Sequence, residues 1–216
     1  PKGGTAVIID PRNFEGFNRV LTGVIVPRPI AFVSSVSPEG LVNLAPYSFF
    51  NAVAYDPPTI VFSSSRYAEK KAKDTLANIE ETGEFVVNIV VDDIAEAMNR
   101  TAAEYPVDVS EFEIAGLTQA PSDLIKPPRV AESPVNMECR LEQVVSIGSP
   151  TEGHGLVIGT ILLMHIRDDI IDGHRINHNL LKPVGRLAGN MYCHTADVFE
   201  MVRPVYQPEA SLTTER

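Results

Sequence analysis

Apolar positions along this chain gather into short β-branched and aromatic runs, most of them opened or closed by Pro or Gly. Pro27, Arg28 and Pro29 lead into the run 30–36, and Ser37, Pro38, Glu39 and Gly40 supply the turn after it. Pro57 and Pro58 hold the backbone extended into a second strand, Thr59, Ile60, Val61 and Phe62. Residues 85–91 read as a third. In 137–147 the residues alternate: Met137, Cys139, Leu141, Val145 and Ile147 share one face, and Glu138, Arg140, Glu142 and Ser146 the other. Residues 156–166 are continuously apolar, which suits a central strand. Many short strands punctuated in this way predict an antiparallel barrel or sandwich, mainly β with a few short helices.

Two helices are predicted. Asp74 can cap one that runs to about Thr82, with Leu76 and Ile79 on one face and Gly83 as its stop. Asp93 with Glu96 resembles a capping box for a second helix ending near Ala102. The Pro-rich stretch 117–134 reads as a loop crossing the surface. The expected organisation is an extension over 1–20, one domain over 21–202 and a tail over 203–216, which either frays or embraces a partner subunit.

Composition narrows the functions. The 216 residues carry a net charge of −10, and 44% are hydrophobic, enough for a sizeable core. A charge of that sign argues against nucleic-acid or anionic-membrane surfaces, which require a basic patch, but leaves room for one small phosphate. Cys139 and Cys193 stand far apart, which fits a reducing compartment better than a disulfide scaffold. With no apolar leader visible and no run long enough to span a bilayer, a cytoplasmic location is expected.

Three segments carry candidate chemistry. Residues 43–51 (Asn43, Leu44, Ala45, Pro46, Tyr47, Ser48, Phe49, Phe50 and Asn51) hold three aromatics and no charge. They read either as a loop walling an apolar cofactor site or as a core-packing strand with Pro at its edge. Ser63, Ser64 and Ser65 end a β-branched strand, where hydroxyls and amides can hold phosphate oxygens; the plain alternative is a polar turn. Lys73, Asp74 and Thr75 open a helix whose free N–H groups attract an anion, although an exposed lysine beside an ordinary cap gives the same letters. The two histidines His174 and His178 sit beside Gly173 without a following HExxH pattern and read as a solvated loop; His165 reads as a satisfied core histidine. No metal site, dinucleotide fingerprint or identifiable catalytic side chain is expected.

Taken in order, RPIAFVSSVSPEGLVNLAPYSFFNAVAYDPPTIVFSS, KDTLANIEETGEFVVNIV and PVGRLAGNMY resemble the flavin reductase-like family of FMN-binding split barrels, which includes flavoredoxins. The resemblance implies an antiparallel split β-barrel, a homodimer, and one FMN per subunit near the dimer interface. It implies that 43–51 faces the isoalloxazine ring, with Ser48 and the backbone near Ala45 and Pro46 as hydrogen-bonding groups. Ser63, Ser64, Ser65, Lys73, Asp74 and Thr75 would hold the ribityl-phosphate end, and 186–192 would approach from the C-terminal side. Ala188 and His194 stand where the family commonly has Gly and another polar or basic residue. The implied activity passes electrons from NAD(P)H through FMN to a flavin or other acceptor. An FMN-holding electron carrier that does not itself oxidise NAD(P)H, or a barrel that has lost its flavin, would use the same scaffold.

Overall fold

The computed structural model describes residues 6–66, 74–106, 109–149 and 153–206. Seven strands form one antiparallel sheet: β1 (Ala31–Val36), β2 (Val42–Tyr47), β3 (Phe50–Tyr55), β4 (Pro58–Ser65), β5 (Glu84–Ile89), β6 (Val135–Ile147) and β7 (His154–Ile166). Their spatial order is β2-β1-β5-β6-β7-β4-β3. The two edge strands, β2 and β3, are consecutive in sequence and joined only by Ser48 and Phe49. So short a link draws the two ends of the sheet together and makes it curl. The edges do not pair with each other, and the result is a split barrel rather than a closed one.

Strand alternation sorts the two faces. Ala31, Val33, Ile60, Phe62, Phe85, Val87 and Val157 point into the barrel, where Leu76 and Ile79 of α2 (Asp74–Thr82), the helix after α1 (Phe17–Val24), join them. Tyr47 meets Phe62 with ring centroids 5.0 Å apart, and Phe62 meets Phe85 edge-on at 5.6 Å. These contacts link the far sides of the curled sheet. Phe32, Leu44 and Val90 face the other way and pack beneath Ile94, Met98, Phe112 and Val184.

Several local features differ from the sequence reading. The stretch 43–51 is most of β2, a two-residue link and the start of β3, so it is mainly strand and not loop. The expected capping box at Asp93 is not formed. A 3₁₀ turn, Asp92–Ile94, sinks Ile94 into the second core, and the α-helix Ala95–Arg100 begins only after it, with no side-chain cap bond. In β6, register shifts fall between Glu138 and Cys139 and between Leu141 and Gln143, which breaks the alternation. Ile147 consequently lies half exposed instead of sharing the inner face of Cys139. The surface stretch 117–134 contains two paired fragments, Gln119–Ala120 and Arg129–Val130. Two further helices matter below: Phe17–Val24, none of whose residues is buried, and Glu111–Ala115, capped by Ser110.

Candidate functional site

A cavity of about 1050 Å³ opens where β2, the Ser48–Phe49 link and β4 converge, beneath the helices Phe17–Val24 and Glu111–Ala115. Its walls divide by chemistry. Ala45, Pro46 and Phe49 make an apolar side with one aromatic ring. Ser63, Ser65, Thr75 and His154 make a hydroxyl-rich side, and the Ser63 Oγ lies 3.4 Å from His154 Nδ1. Asn43 donates from Nδ2 to the Thr75 hydroxyl at 2.5 Å, which fixes the first turn of α2 against β2.

The period of a strand decides which serines matter. Along β4, Ile60, Phe62 and Ser64 are buried while Val61, Ser63 and Ser65 are partly open. Ser63 and Ser65 therefore face the cavity, whereas Ser64 points into the barrel with Phe62. The three hydroxyls cannot act as one cradle. Tyr47 closes the inner end; burial pushes its phenol above the ordinary range, with Thr75 and Ser64 working the other way.

Of the residues singled out in the sequence, Asn43, Ala45, Pro46, Tyr47 and Ser48 line the cavity from β2 and its link. Ser63, Ser65, Asp74 and Thr75 line it from β4 and α2. Leu44 does not: it is fully buried in the opposite core. Phe50 packs against the barrel interior and leaves the cavity to Phe49, because the link reverses the chain between them. Asn51 is exposed, with its Oδ1 accepting the Ala52 N–H at 2.9 Å. Lys73 lies outside the described residues.

Two of the other lining residues, Arg28 and Glu111, were not read from the sequence as part of a site. Arg28 is 6% exposed and donates to the carbonyls of Thr22 (2.6 Å), Ile25 (2.7 Å) and Leu187 (3.0 Å). It faces Arg186, from the ribbon of β8 (Val184–Arg186) and β9 (Tyr192–His194). This ribbon brings Arg186, Leu187, Gly189 and Tyr192 to the cavity. His194 instead binds Asp92 through Nδ1 at 2.8 Å. Glu111 accepts the Leu44 N–H at 3.2 Å; burial, and then the negative charge of Asp74, push its carboxyl above the usual range. Only pairing and long-range packing bring Arg28 and Glu111 to the cavity, so no local motif announces them.

Residues 24–180 match the flavin reductase like domain, and the chain belongs to that family. A protein of Halalkalibacterium halodurans is 40% identical over 188 residues, covering 86% of this chain and 90% of that one. The crystal structure of nitrilotriacetate monooxygenase component B from Bacillus cereus is similar at 40% identity and TM-score 0.88, covering 92% of this chain and all of that one (100%). The 2-nitrobenzoate 2-nitroreductase of Pseudomonas fluorescens is similar at 36% identity and TM-score 0.83, with 94% and 100% of the two chains covered.

Proposed function

We propose that the chain is an FMN-dependent oxidoreductase that passes electrons from NAD(P)H to a flavin or another small acceptor, with the flavin held in the cavity described above. The observation that carries this reading is the division of the cavity walls, in a chain of the flavin reductase-like family. An apolar side suits a flat ring, and a hydroxyl-rich side at the start of a helix suits a phosphate. The size and donor set fit FMN. Relatives at 36–40% identity that are named as a monooxygenase component and a nitroreductase support redox chemistry.

When bound, FMN supplies the capacity to accept a hydride and release electrons. The chain's own groups position and tune. Ala45, Pro46 and Phe49 keep water from one face of the ring. The hydroxyls of Ser63, Ser65 and Thr75 hold the phosphate, and the Asn43 amide orients Thr75.

An absorption spectrum taken after adding FMN and desalting, followed by anaerobic NADH and then NADPH, tests the proposal. A retained flavin band bleached by either nucleotide is the expected result. A retained band that neither bleaches would make the chain an electron carrier fed by another protein, and no retained band with no flavin-dependent oxidation of either nucleotide would overturn the flavin reading.

A further inference from the structure

Arg28 and Arg186 are directly opposed. Each backbone N–H donates to the other's carbonyl at 2.9 Å, so the two side chains leave neighbouring positions on one face. Like charges in that relation repel and weaken the pairing. Both residues line the cavity.

Neither guanidinium has an acidic partner among the described residues. Arg28 donates to three carbonyls and, at 3.4 Å, to the Ser48 hydroxyl. Arg186 donates to the Tyr192 hydroxyl and the Gly189 carbonyl, and lies over the Tyr192 ring at 4.4 Å from its centroid. In a chain with 28 acidic residues, two unneutralised arginines side by side, one of them buried, are not explained by surface charge balance. The carbonyls at the end of the helix Phe17–Val24 account for the orientation of Arg28, since a cation suits a helix C-terminus. They do not account for the second arginine, whose field opposes the first. Burial and then Arg186 depress the pKa of Arg28, which marks the strain of the arrangement.

We infer that Arg28 and Arg186 form a fixed positive wall that stabilises the negative charge a bound flavin ring gains on reduction. This rests on the FMN reading above. Ser48 and Phe49 connect the pair to the apolar side: the Arg28 guanidinium reaches the Ser48 hydroxyl and lies 5.9 Å from the centre of the Phe49 ring. With the ring against Phe49, as the FMN reading has it, arginines that reach Ser48 and Phe49 lie beside the ring. Their donors are already tied to carbonyls and a phenol, so they act by charge, Arg28 from a buried position, and need no rearrangement when the ring's charge changes. The two arginines are positioning residues for charge.

The test is the reduction potential of bound FMN, measured by dye equilibration, together with the dissociation constant of oxidised FMN. Arg28→Met and Arg186→Met should each lower the preference for reduced over oxidised flavin at least tenfold, about 30 mV for a two-electron couple. Oxidised FMN should bind within a few-fold of the wild-type affinity, and Arg28→Lys, which keeps the charge, should hold its potential near the wild-type value. If loss of the Arg28 clamp prevents folding, Arg186→Met carries the test, because its side-chain bonds are local to the ribbon. Wild-type protein that holds FMN while the Met variants keep the wild-type potential would overturn this inference alone. Wild-type protein that holds no FMN would overturn the flavin reading and this inference with it.

Discussion

Glu138 shows how much one side chain can hold in this fold. It is fully buried on β6; its Oε1 accepts the Asp123 N–H and its Oε2 the Leu124 N–H, both at 2.8 Å, and His165 Nε2 lies 2.6 Å from Oε1. Burial works against the charge, but these amides and His165 outweigh it and hold the carboxyl below its ordinary value of 4.5. A depressed folded-state pKa adds stability above the unfolded value, and that stability is lost as the pH falls through the folded one. Urea titrations should therefore show stability declining below about pH 4.5, and Glu138→Gln should flatten the decline while costing roughly 1–3 kcal/mol at neutral pH, since one amide loses its acceptor. The sequence identified His165 as a satisfied histidine but placed Glu138 on a polar strand face. A covering loop nearly fifty ångströms of chain away (about 3.3 Å per extended residue) made that face an interior. Gly159 is a second such point. A Cβ there would meet the Phe85 ring at 2.5 and 2.9 Å and the Arg140 carbonyl at 3.2 Å. Gly159→Ala should cost roughly 1–3 kcal/mol in the same titration, because the ring must leave its packed position.

Among the elements, β4 and the Ser48–Phe49 link do most to define the site. Period-two alternation sends Ser63 and Ser65 to the cavity and Ser64 to the core. Ser63→Glu should abolish FMN retention through charge repulsion with the phosphate, while Ser64→Ala should leave retention unchanged and affect stability instead; flavin absorbance after desalting reads the first and thermal unfolding the second. Equal loss of flavin in both variants would contradict the assignment. The strands β1, β4 and β5 were legible as β-branched or aromatic runs, β6 by its alternation, β7 as a continuous apolar run, and α2 because Asp74 and Gly83 bound it. The β2–β3 connection was half legible: its apolar character marked a wall, but the reversal at Ser48 that hands the cavity to Phe49 rather than Phe50 depends on the curl of the sheet. The helix Glu111–Ala115 is too short for periodicity to reveal it, so Glu111 went unnoticed.

For the whole molecule, the informative surface is the free edge of β3. Its residues carry no charge, and Val53 is 57% and Tyr55 99% exposed. Farther along, the stretch 198–206, which is neither helix nor strand, presents Phe199 and Val202, each 84% exposed. Unguarded apolar edges invite pairing, and the homodimer implied by the resemblance would cover this one. Light scattering should give the mass of a dimer, and Val53→Lys with Tyr55→Lys should give a folded monomer by circular dichroism. A monomeric wild type would remove the premise. Among the described residues no helix is long and apolar enough to cross a membrane. The measurement that tests the central claim most directly is a crystal structure of the chain with FMN. The account predicts the ring against Ala45, Pro46 and Phe49 beside Arg28, with the phosphate within hydrogen-bond distance of the Ser63, Ser65 and Thr75 hydroxyls. Flavin bound outside this cavity, or with its phosphate at the arginines, would contradict it.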